Sequence, residues 1–469
     1  AIGNRETRIV RNARLQPAMV TVRDTLSNET RTATYPYCEA ADVAASNSVC
    51  PILGLPKSVD GSRSHVSDVV RFEYYGSDDS TCATTPALCT HRKGDLRKTI
   101  DPLGNVSEVL GYDPQGRPLS VADANGVVTD YEYSPRGWLT AQKLRGPDNA
   151  VETDDLITRI EHFPTGLVKQ VTLPDGNFTA YAYDTAQRLT SITDRSGATI
   201  QYALDLAGNR KTEDFKNGSG SVYATVSRVF NALGQLQTHK DGLNNATGFT
   251  YDAQGRQDTT TDALGRVSDN DYDPLGRLVR SLQDAGTGRI NAETRLEYDA
   301  LDQVTKVIDP KGLPTAYARN GLGDLTQLTS PDTGVTQYTY DAAGNVKTRT
   351  DARNITATYS YDALGRMTQQ AYPTAVLGTT YTYDVVAPGC PAGETFSKGR
   401  LSQSAGTGGA LRYCYDRFGR MVRKIVQTTG PVLTLRYAYT AAGALKSVTY
   451  PDGTVADYVR GIHGRITQI

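Results

Sequence analysis

The cysteines are the residues of this sequence whose number and spacing most directly suggest chemistry. The chain contains six of them: Cys38, Cys50, Cys82, Cys89, Cys390 and Cys414. An even number with two closely spaced pairs is typical of a protein from an oxidising compartment. We predict the disulfides Cys38–Cys50, Cys82–Cys89 and Cys390–Cys414. Each would close a short loop and stabilise the fold by roughly 2–3 kcal/mol in the chain-entropy model.

Zinc binding is the alternative chemistry for the middle cysteine pair. Cys82, Cys89 and His91 lie close together in the sequence and are of residue types that bind zinc. The segment lacks a Cys-x-x-Cys knuckle and a convincing fourth ligand, which structural zinc sites require. A disulfide is therefore the favoured interpretation, and the sequence predicts no metal and no other cofactor.

Side chains that could form a catalytic site are sparse. None of the five histidines stands in an HExxH or comparable catalytic motif. Asp154 and Asp155 could in principle serve a glycosidase, but adjacent aspartates in a polar stretch usually belong to a solvated loop. The Asp- and Gly-rich turns lack the spacing of calcium loops, and residues 406–409 lack the Lys-Ser/Thr of a phosphate loop. We predict that the chain is not an enzyme.

The composition excludes two classes of partner. Lys and Arg total 50 and Asp and Glu 51, so the formal charge of −1 gives no basic surface for nucleic acid. No run approaches the roughly 20 apolar residues that span a membrane. Hydrophobic residues make up 38% of the chain, and Tyr (28) far outnumbers Phe (8). This composition favours a thin sheet with many turns over a thick apolar core.

Tyr-Asp dipeptides recur about every 21 residues, which is the sign of a repeat architecture. Each copy ends in a turn with glycine, in most cases followed by arginine. The clearest copies are Tyr251-Asp252-x-x-Gly255-Arg256, Tyr272-Asp273-x-x-Gly276-Arg277, Tyr340-Asp341-x-x-Gly344, Tyr361-Asp362-x-x-Gly365-Arg366 and Tyr415-Asp416-x-x-Gly419-Arg420. A second, weaker turn follows about ten residues later, so one repeat consists of strand, turn, strand and turn.

The residue types explain these turns. In Asp273-Pro274-Leu275-Gly276, Asp can accept backbone N–H groups, Pro presets φ, and Gly takes the left-handed conformation of a type I turn with a bulge. Between turns, residues 336–340 alternate with period two, as β-strands do. The sequence predicts an all-β fold of antiparallel β-hairpins. A meander of around 40 strands must coil, so we expect a wound strip that encloses space.

The sequence divides into a short lead-in and a long repeat region. We assign residues 1–30 to an N-terminal strand region and residues 31–469 to the repeats. Cysteine-bearing insertions near residues 38–50, 76–92 and 385–398 all follow the same turn of a repeat. In a meander those turns lie on one edge of the strip.

Tyr-Asp-x-x-Gly-Arg followed by an apolar residue, at a spacing of about 21, resembles the motif of the RHS/YD-repeat family. The resemblance extends from about residue 30 to the end of the chain. The segments that carry it are Tyr112–Arg117, Tyr251–Arg256, Tyr272–Leu278, Tyr361–Met367 and Tyr415–Met421. One such motif means little, whereas this many in register is highly specific.

The resemblance implies a hollow β-spiral shell. The family includes bacterial polymorphic toxins, the C-components of insecticidal Tc complexes, and teneurins. In the toxins the shell encloses a C-terminal toxic polypeptide, which is released by aspartates of a DPxGxxGG-type core segment. This sequence contains no such segment up to Ile469. We therefore expect the C-terminal core and its cargo to be absent from this chain, and no cleavage residue is carried over.

Two functions follow as hypotheses. The first is a secreted or cell-surface shell, bacterial in origin, that encapsulates and presents or delivers a C-terminal toxin-like polypeptide. Its partners would be that polypeptide or neighbouring domains that cap the shell. The alternative is an extracellular adhesion module that binds a surface glycan or a protein receptor. A cargo domain encoded downstream would favour the first function, and a lectin-like or anchoring domain the second.

Overall fold

The computed structural model describes residues 4–45, 48–64, 66–148, 151–461 and 465–469, and nearly all their regular structure is β-strand. Residues 46–47 of the first insertion lie outside this set. The first three strands form a separate antiparallel sheet in the order β1-β2-β3. They are β1 Arg5–Arg11, β2 Pro17–Asp24 and β3 Thr30–Thr34. This N-terminal sheet therefore includes residues on both sides of the boundary drawn at residue 30.

The main sheet contains 34 strands, numbered β4 to β37. The strands of its first half are β4 Ser58–Val59, β5 Val70–Tyr74, β6 Leu96–Ile100, β7 Val106–Tyr112, β8 Pro118–Ala122, β9 Val128–Tyr133, β10 Leu139–Leu144, β11 Leu156–His162, β12 Val168–Thr172, β13 Phe178–Tyr183, β14 Leu189–Asp194, β15 Thr199–Leu204, β16 Arg210–Lys216, β17 Val222–Phe230, β18 Leu236–Lys240, β19 Ala246–Tyr251 and β20 Gln257–Thr261.

The second half of the chain continues the same meander. Its strands are β21 Val267–Tyr272, β22 Leu278–Gln283, β23 Ala292–Tyr298, β24 Val304–Ile308, β25 Pro314–Arg319, β26 Leu325–Ser330, β27 Gly334–Tyr340, β28 Val346–Thr350, β29 Thr356–Tyr361, β30 Met367–Ala371, β31 Thr379–Tyr383, β32 Leu401–Gly406, β33 Gly409–Tyr415, β34 Met421–Gln427, β35 Leu433–Tyr439, β36 Leu445–Thr449 and β37 Val455–Asp457. A last hairpin joins β38 Val459–Arg460 to β39 Ile466–Gln468.

Each strand of the main sheet pairs antiparallel with the next one in the sequence. In β29 and β30, for example, Thr358 lies opposite Ala371 and the register shifts by one residue just before Tyr361. The same shift precedes Tyr340 in β27 and Tyr439 in β35. A β-bulge of this kind absorbs the extra turn residue and increases the local twist. The motif tyrosine therefore stands at the bulge of every such hairpin.

The turns lie on two different edges of the sheet. Connections from an odd-numbered to an even-numbered strand follow the motif tyrosines, and we call the edge that they form the Tyr-Asp edge. Connections from an even-numbered to an odd-numbered strand form the opposite edge. The three long insertions connect β3 to β4, β5 to β6 and β31 to β32, so each of them follows an odd-numbered strand.

The few helical segments are short and lie in connections. Helix α1 (Ala40–Ala44) belongs to the first insertion, and α2 (Thr81–Thr84) with the 3-10 turn Pro86–Leu88 belongs to the second. Another 3-10 turn, Ala375–Leu377, precedes β31. None has the length of an ordinary globular helix. The all-β class predicted from the sequence is confirmed.

The sheet coils, so that residues far apart in the sequence meet edge to edge. Residues early in the chain form hydrogen bonds with turns and loops of the late Tyr-Asp edge, and we call this line of contacts the seam. Its pairs are Arg31–Asp324, Ser62–Ala342, Arg63–Asp362, Asn125–Lys398 and Arg145–Arg417. The partners are separated by 272 to 299 residues. Every pair with both partners in the main sheet joins its opposite edge to the Tyr-Asp edge.

The seam fixes the circumference of the coil. Asn125 precedes β9 and its partner Lys398 follows β31, so 23 strands complete one circuit. Adjacent strands are about 4.8 Å apart, which gives a circumference of about 110 Å and about 35 Å between opposing backbones. Most strand residues keep part of their surface exposed, and the buried apolar side chains include small ones such as Ala141 and Ala357. The fold is thus a hollow spiral wall.

Candidate functional site

The Tyr-Asp turn is built by one carboxylate. Asp252 Oδ1 accepts the backbone N–H groups of Gln254 and Arg256, both at 2.9 Å. The backbone of Gly255 closes the turn by donating to the carbonyl of Asp252 at 3.0 Å. Gly255 has φ of +82°, a conformation that residues with a β-carbon adopt only at a cost. Aspartate and glycine together therefore specify the shape of the turn.

The arginine of the motif connects one repeat to the next. Arg256 Nε donates to Asp252 Oδ2 at 2.7 Å within its own turn. Its Nη1 donates to the carbonyl oxygen of Asp273, in the next Tyr-Asp turn, at 3.2 Å. The guanidinium also lies 4.7 Å from the ring centre of Tyr272, a cation–π distance. One side chain thus binds its own turn and two groups of the following repeat.

The tyrosine completes the connection in the reverse direction. Tyr272 donates its hydroxyl hydrogen to the carbonyl oxygen of Gln257, the residue that follows Arg256, at 2.8 Å. The same bond recurs along the edge, always to the residue that follows the preceding turn. Its other instances include Tyr112 to Leu96, Tyr133 to Pro118, Tyr251 to Leu236, Tyr298 to Leu278, Tyr340 to Leu325, Tyr361 to Val346, Tyr383 to Met367, Tyr415 to Leu401 and Tyr439 to Met421.

We call this set of Asp, Arg and following Tyr the inter-repeat network. The ring contact between arginine and the next tyrosine recurs at distances from 4.4 to 5.7 Å. The pairs are Arg117–Tyr133, Arg256–Tyr272, Arg277–Tyr298, Arg366–Tyr383, Arg400–Tyr415 and Arg420–Tyr439. Because each network reaches only its neighbour, the predicted turn residues form a row along one edge and do not converge on a common pocket.

The electrostatics of the network fit a structural role. Hydrogen bonds from the backbone and guanidinium of Arg277 lower the pKa of Asp273, so its carboxylate is ionised at neutral pH. Partial burial raises the pKa of the motif tyrosines Tyr340, Tyr361 and Tyr439, and it raises that of Tyr112 to about 12. The hydroxyl hydrogens that bind the carbonyls are therefore kept. None of these shifts prepares a group for proton transfer near neutral pH.

Two of the turns that depart from the motif show what can replace it. In the Tyr340 turn, Asn345 stands in place of arginine and donates to Asp341 Oδ2 at 3.0 Å, within its own turn only. In the turn after Tyr133, the motif arginine is replaced by Trp138. The Trp138 ring lies 5.5 Å from that of His162, next to the following turn. An aromatic contact thus takes the place of the Arg–Tyr contact between these repeats.

The structure forms three disulfides, Cys38–Cys50, Cys82–Cys89 and Cys390–Cys414. All belong to insertions of odd-to-even connections, and the third ties its insertion to β33. The sulfurs of Cys82 and Cys89 are bonded to each other, and the His91 ring stacks on Tyr75 at 3.8 Å. Within the described residues, no group of three or more His, Cys, Asp or Glu side chains is arranged to hold a metal ion.

The adjacent carboxylates Asp154 and Asp155 hold a loop together. Asp155 Oδ2 lies 2.8 Å from Arg145 Nη1, and Asp155 Oδ1 accepts the backbone N–H of Gly146 at 2.7 Å. The Asp155 side chain has no exposed surface. The expectation of a solvated loop was wrong for this residue, because its ion pair with Arg145 lies in the connection that contacts Arg417 across the seam.

Sequence reasoning identified the turn residues but missed what the arginine and the tyrosine hydroxyl contact. Both contacts cross between repeats, so neither is visible within a single copy of the motif. One signal was available, since an arginine after one turn is repeatedly followed by a tyrosine just before the next turn. In the described part of the chain, no helix is both long enough and apolar enough to span a membrane.

Comparisons with known proteins agree with this geometry. The model of the family described as RHS Repeat matches residues 112–148, 164–199, 183–219, 230–267, 272–316, 319–356 and 344–376. The double-stranded DNA deaminase toxin A of Burkholderia cenocepacia (strain H111) is 30% identical over 231 residues. That alignment covers 46% of this chain and 15% of the toxin.

A solved structure shows the same fold. The crystal structure of TcdB2-TccC3 superposes with a TM-score of 0.62 at 13% identity, over 99% of this chain and 27% of that one. The chain thus spans about a quarter of that structure and a smaller part of the toxin. With repeats matched across five separate stretches and the spiral sheet shared with this structure, the chain belongs to the RHS repeat family.

Proposed function

We propose that this chain is the wall of a hollow container that encloses a polypeptide and presents or delivers it. The observation that carries the proposal is the seam, which closes a circuit of 23 strands around an interior. An opening of about 35 Å between opposing backbones is wide enough for a compact small domain or an unfolded chain. The strands form a wall, and the space that this wall surrounds is left for the enclosed polypeptide.

The stabilising contacts support a container over a catalyst. The inter-repeat network repeats along the Tyr-Asp edge, and each copy bonds only to the next, as in other repeat proteins. Many of the perturbed pKa values belong to groups that hold turns, as in Asp273 and Tyr361. We therefore assign the protein a structural function, with no chemistry of its own.

The relatives favour a toxin-like polypeptide as the contents. One matched relative is named a toxin, and this chain aligns with 15% of its length. The other is TcdB2-TccC3, in which the matched part is 27% of that chain. A wall segment joined to a longer polypeptide fits both proportions. The three disulfides favour secretion or the cell surface, where thiols oxidise.

A test can use the cysteine content of the chain. The described cysteines are all paired, so an unstructured reporter with one cysteine, fused after Ile469, would carry the only free thiol. If the interior houses the reporter, a small maleimide should label the thiol and a large polymer-linked maleimide should label it far more slowly. A free reporter peptide, equally open to both reagents, is the control.

The variant Arg63→Ala provides a second part of this labelling test. Arg63 is 7% exposed and donates to the carbonyl oxygen of Asp362 across the seam at 2.6 Å. Loosening the seam should speed labelling by the large reagent and leave the small one unaffected. If the large reagent labels the reporter on the intact chain as fast as it labels the free peptide, enclosure is wrong.

A further inference from the structure

Two successive turns of the Tyr-Asp edge lack the arginine of the motif, and both lie at the seam. The position after the turn glycine is Asp324 in the first of these turns and Asn345 in the second. Asn345 Nδ2 donates to Asp341 Oδ2 within its own turn, and Asp324 has no guanidinium to offer. Neither turn therefore supplies a guanidinium to the repeat that follows it, as the complete motif does.

Arg63 makes the contacts that an arginine at position 345 would make. In the complete motif, Arg256 Nε donates to a carboxylate of its own turn, and Nη1 donates to the carbonyl oxygen of the next turn's aspartate. Arg63 Nε likewise donates to Asp68 Oδ2, in its own connection, at 3.2 Å. Its Nη1 donates to the carbonyl oxygen of Asp362, the first residue of the turn that follows Asn345, at 2.6 Å. A guanidinium from the early part of the chain thus takes the place of the missing one.

Arg31 stands in the same relation to position 324. In complete repeats the motif arginine lies against the glycine of the next turn, so that a β-carbon built on Gly276 would be 3.8 Å from Arg256 Nη1. A β-carbon built on Gly344, in the turn after Asp324, would be 3.0 Å from Arg31 Nη1. Asp324 holds this guanidinium through two bonds of 3.0 and 2.6 Å. An early arginine again lies where the motif arginine is missing.

The turn that binds Arg31 has its carboxylate at the other end. Motif turns begin with aspartate and end with arginine, whereas this turn begins with Asn320 and ends with Asp324. Asn320 Oδ1 accepts the backbone N–H of Asp324 at 2.9 Å, so the shape of the turn is kept. The moved carboxylate pairs with both terminal nitrogens of the guanidinium, a strong and directional contact. The exchange converts a turn that supplies an arginine into one that receives an arginine.

We propose that Arg31 and Arg63 replace the two missing arginines across the seam and thereby fix the register in which the early and late parts of the sheet meet. A shift by one repeat toward the C-terminus would place Arg63 beside Arg366, whose guanidinium already binds Asp384. The opposite shift would place Arg31 beside Gln303, which carries no charge. Crowded or unpaired charges in a partly buried seam are costly. The inference goes beyond the container function, because it concerns the wall whatever the wall encloses.

The main experiment supplies the missing arginine from the repeat itself. Arg63→Ala should lower the thermal denaturation midpoint, because the carbonyl oxygen of Asp362 loses its guanidinium. Adding Asn345→Arg should restore most of the loss, since the new side chain belongs to the preceding turn, as in the motif. Asn345→Arg alone should give no gain, because Arg63 already occupies the site.

Asn209→Arg is the matched control for this rescue. Asn209 holds the same turn position as Asn345 and donates to Asp205 Oδ2 at 2.9 Å. Its turn makes none of the seam contacts described above. The effect of Asn209→Arg on the midpoint should therefore be the same with and without Arg63, as is usual for distant sites. Circular dichroism would verify that every variant keeps its sheet.

Charge reversal tests Arg31 independently of Arg63. Arg31→Asp and Asp324→Arg should each speed hydrogen exchange in β3 by about tenfold, and the two together should slow it again, because the pair is restored in reverse. The inference is overturned if Arg63→Ala leaves the midpoint unchanged or if Asn345→Arg fails to rescue it. It is also overturned if Asn345→Arg raises the midpoint equally with Arg63 present, or if the combined reversal exchanges as fast as the single variants.

Discussion

The two edges of the sheet use the same turn but differ in what they bind. On the opposite edge, Arg266 Nε donates to Asp262 Oδ2 at 2.7 Å, just as Arg277 does to Asp273 on the Tyr-Asp edge. Arg277 then continues to the carbonyl of Asp299 at 3.0 Å and lies over the ring of Tyr298. Its side chain is 23% exposed, against 56% for Arg266. The turn shapes a hairpin on both edges, whereas repeats are bound together mainly on one.

The reason lies in the residue before each turn. Most strands that end at the Tyr-Asp edge finish in tyrosine, whose ring is long enough to meet the arginine of the preceding turn. The strand before Asp262 ends in Thr261, which has neither a ring nor a reaching hydroxyl. The opposite edge is thus left to make its long-range contacts across the seam.

Acid should affect both edges alike, and it is the largest effect that we expect. Hydrogen bonds in the turns lower the pKa of Asp273 on the Tyr-Asp edge and of Asp241 and Asp262 on the opposite edge. Groups with a lowered folded-state pKa stabilise above their unfolded pKa, 3.8 for Asp, and lose that contribution as the pH falls further. The thermal midpoint should stay level from pH 8 to about pH 5 and fall steeply below about pH 4. A midpoint that instead falls between pH 7 and 5 would contradict this.

Replacing a turn glycine should cost the same on either edge. Gly276 on the Tyr-Asp edge has φ of +85° and Gly265 on the opposite edge has φ of +74°. Gly276→Val and Gly265→Val should each lower the free energy of unfolding by about 1–3 kcal/mol, since a β-branched residue resists this conformation. Chemical denaturation measures both. Gly76 is a suitable control, because its φ lies outside the positive region and its β-carbon position is open. A loss at only one edge would mean that the turns differ.

Replacing the turn arginine should destabilise the protein on the Tyr-Asp edge and have almost no effect on the opposite edge. Arg277→Ala deletes contacts with the next repeat, whereas Arg266→Ala deletes only a bond within an exposed turn. We expect a lower denaturation midpoint for Arg277→Ala and almost no change for Arg266→Ala, because exposed ion pairs contribute little. Hydrogen exchange should locate the loss of Arg277→Ala at the hairpins on either side of the turn. Equal effects of the two variants would remove the distinction between the edges.

The tyrosine hydroxyl should give the smallest effect and the clearest pH signature. Tyr361→Phe deletes a hydrogen bond of 2.9 Å to Val346 and should cost about 1 kcal/mol. Tyr223→Phe, at an exposed position, is the control. The raised pKa of Tyr361 means that its contribution is present below the unfolded pKa of 10.0 and is lost as the pH rises above it. The difference between Tyr361→Phe and the unaltered chain should therefore shrink above pH 10, and a constant difference would argue against the bond.

Much of the fold could be predicted because it is local. The 21-residue period, the Asp and Gly of each turn and the alternation of the strands are all contained within one repeat, and the all-β spiral class followed from them. Only part of the inter-repeat network could be predicted from the sequence. Asp252 and Gly255 act within their own turn and were understood from the sequence, whereas Arg256 acts through Tyr272 and Asp273 in the next repeat.

The sequence by itself determined the repeat, the turns, the strand pattern and, through them, a sheet that must coil. Only the tertiary structure decided how far it coils: 23 strands to a circuit, with Ser62 meeting Ala342 and Asn125 meeting Lys398. The physical reason is that the twist and bend of the hairpins accumulate along the sheet. Each hairpin adds a small twist and bend that no single motif specifies, and their sum over a whole circuit determines which residues meet at the seam.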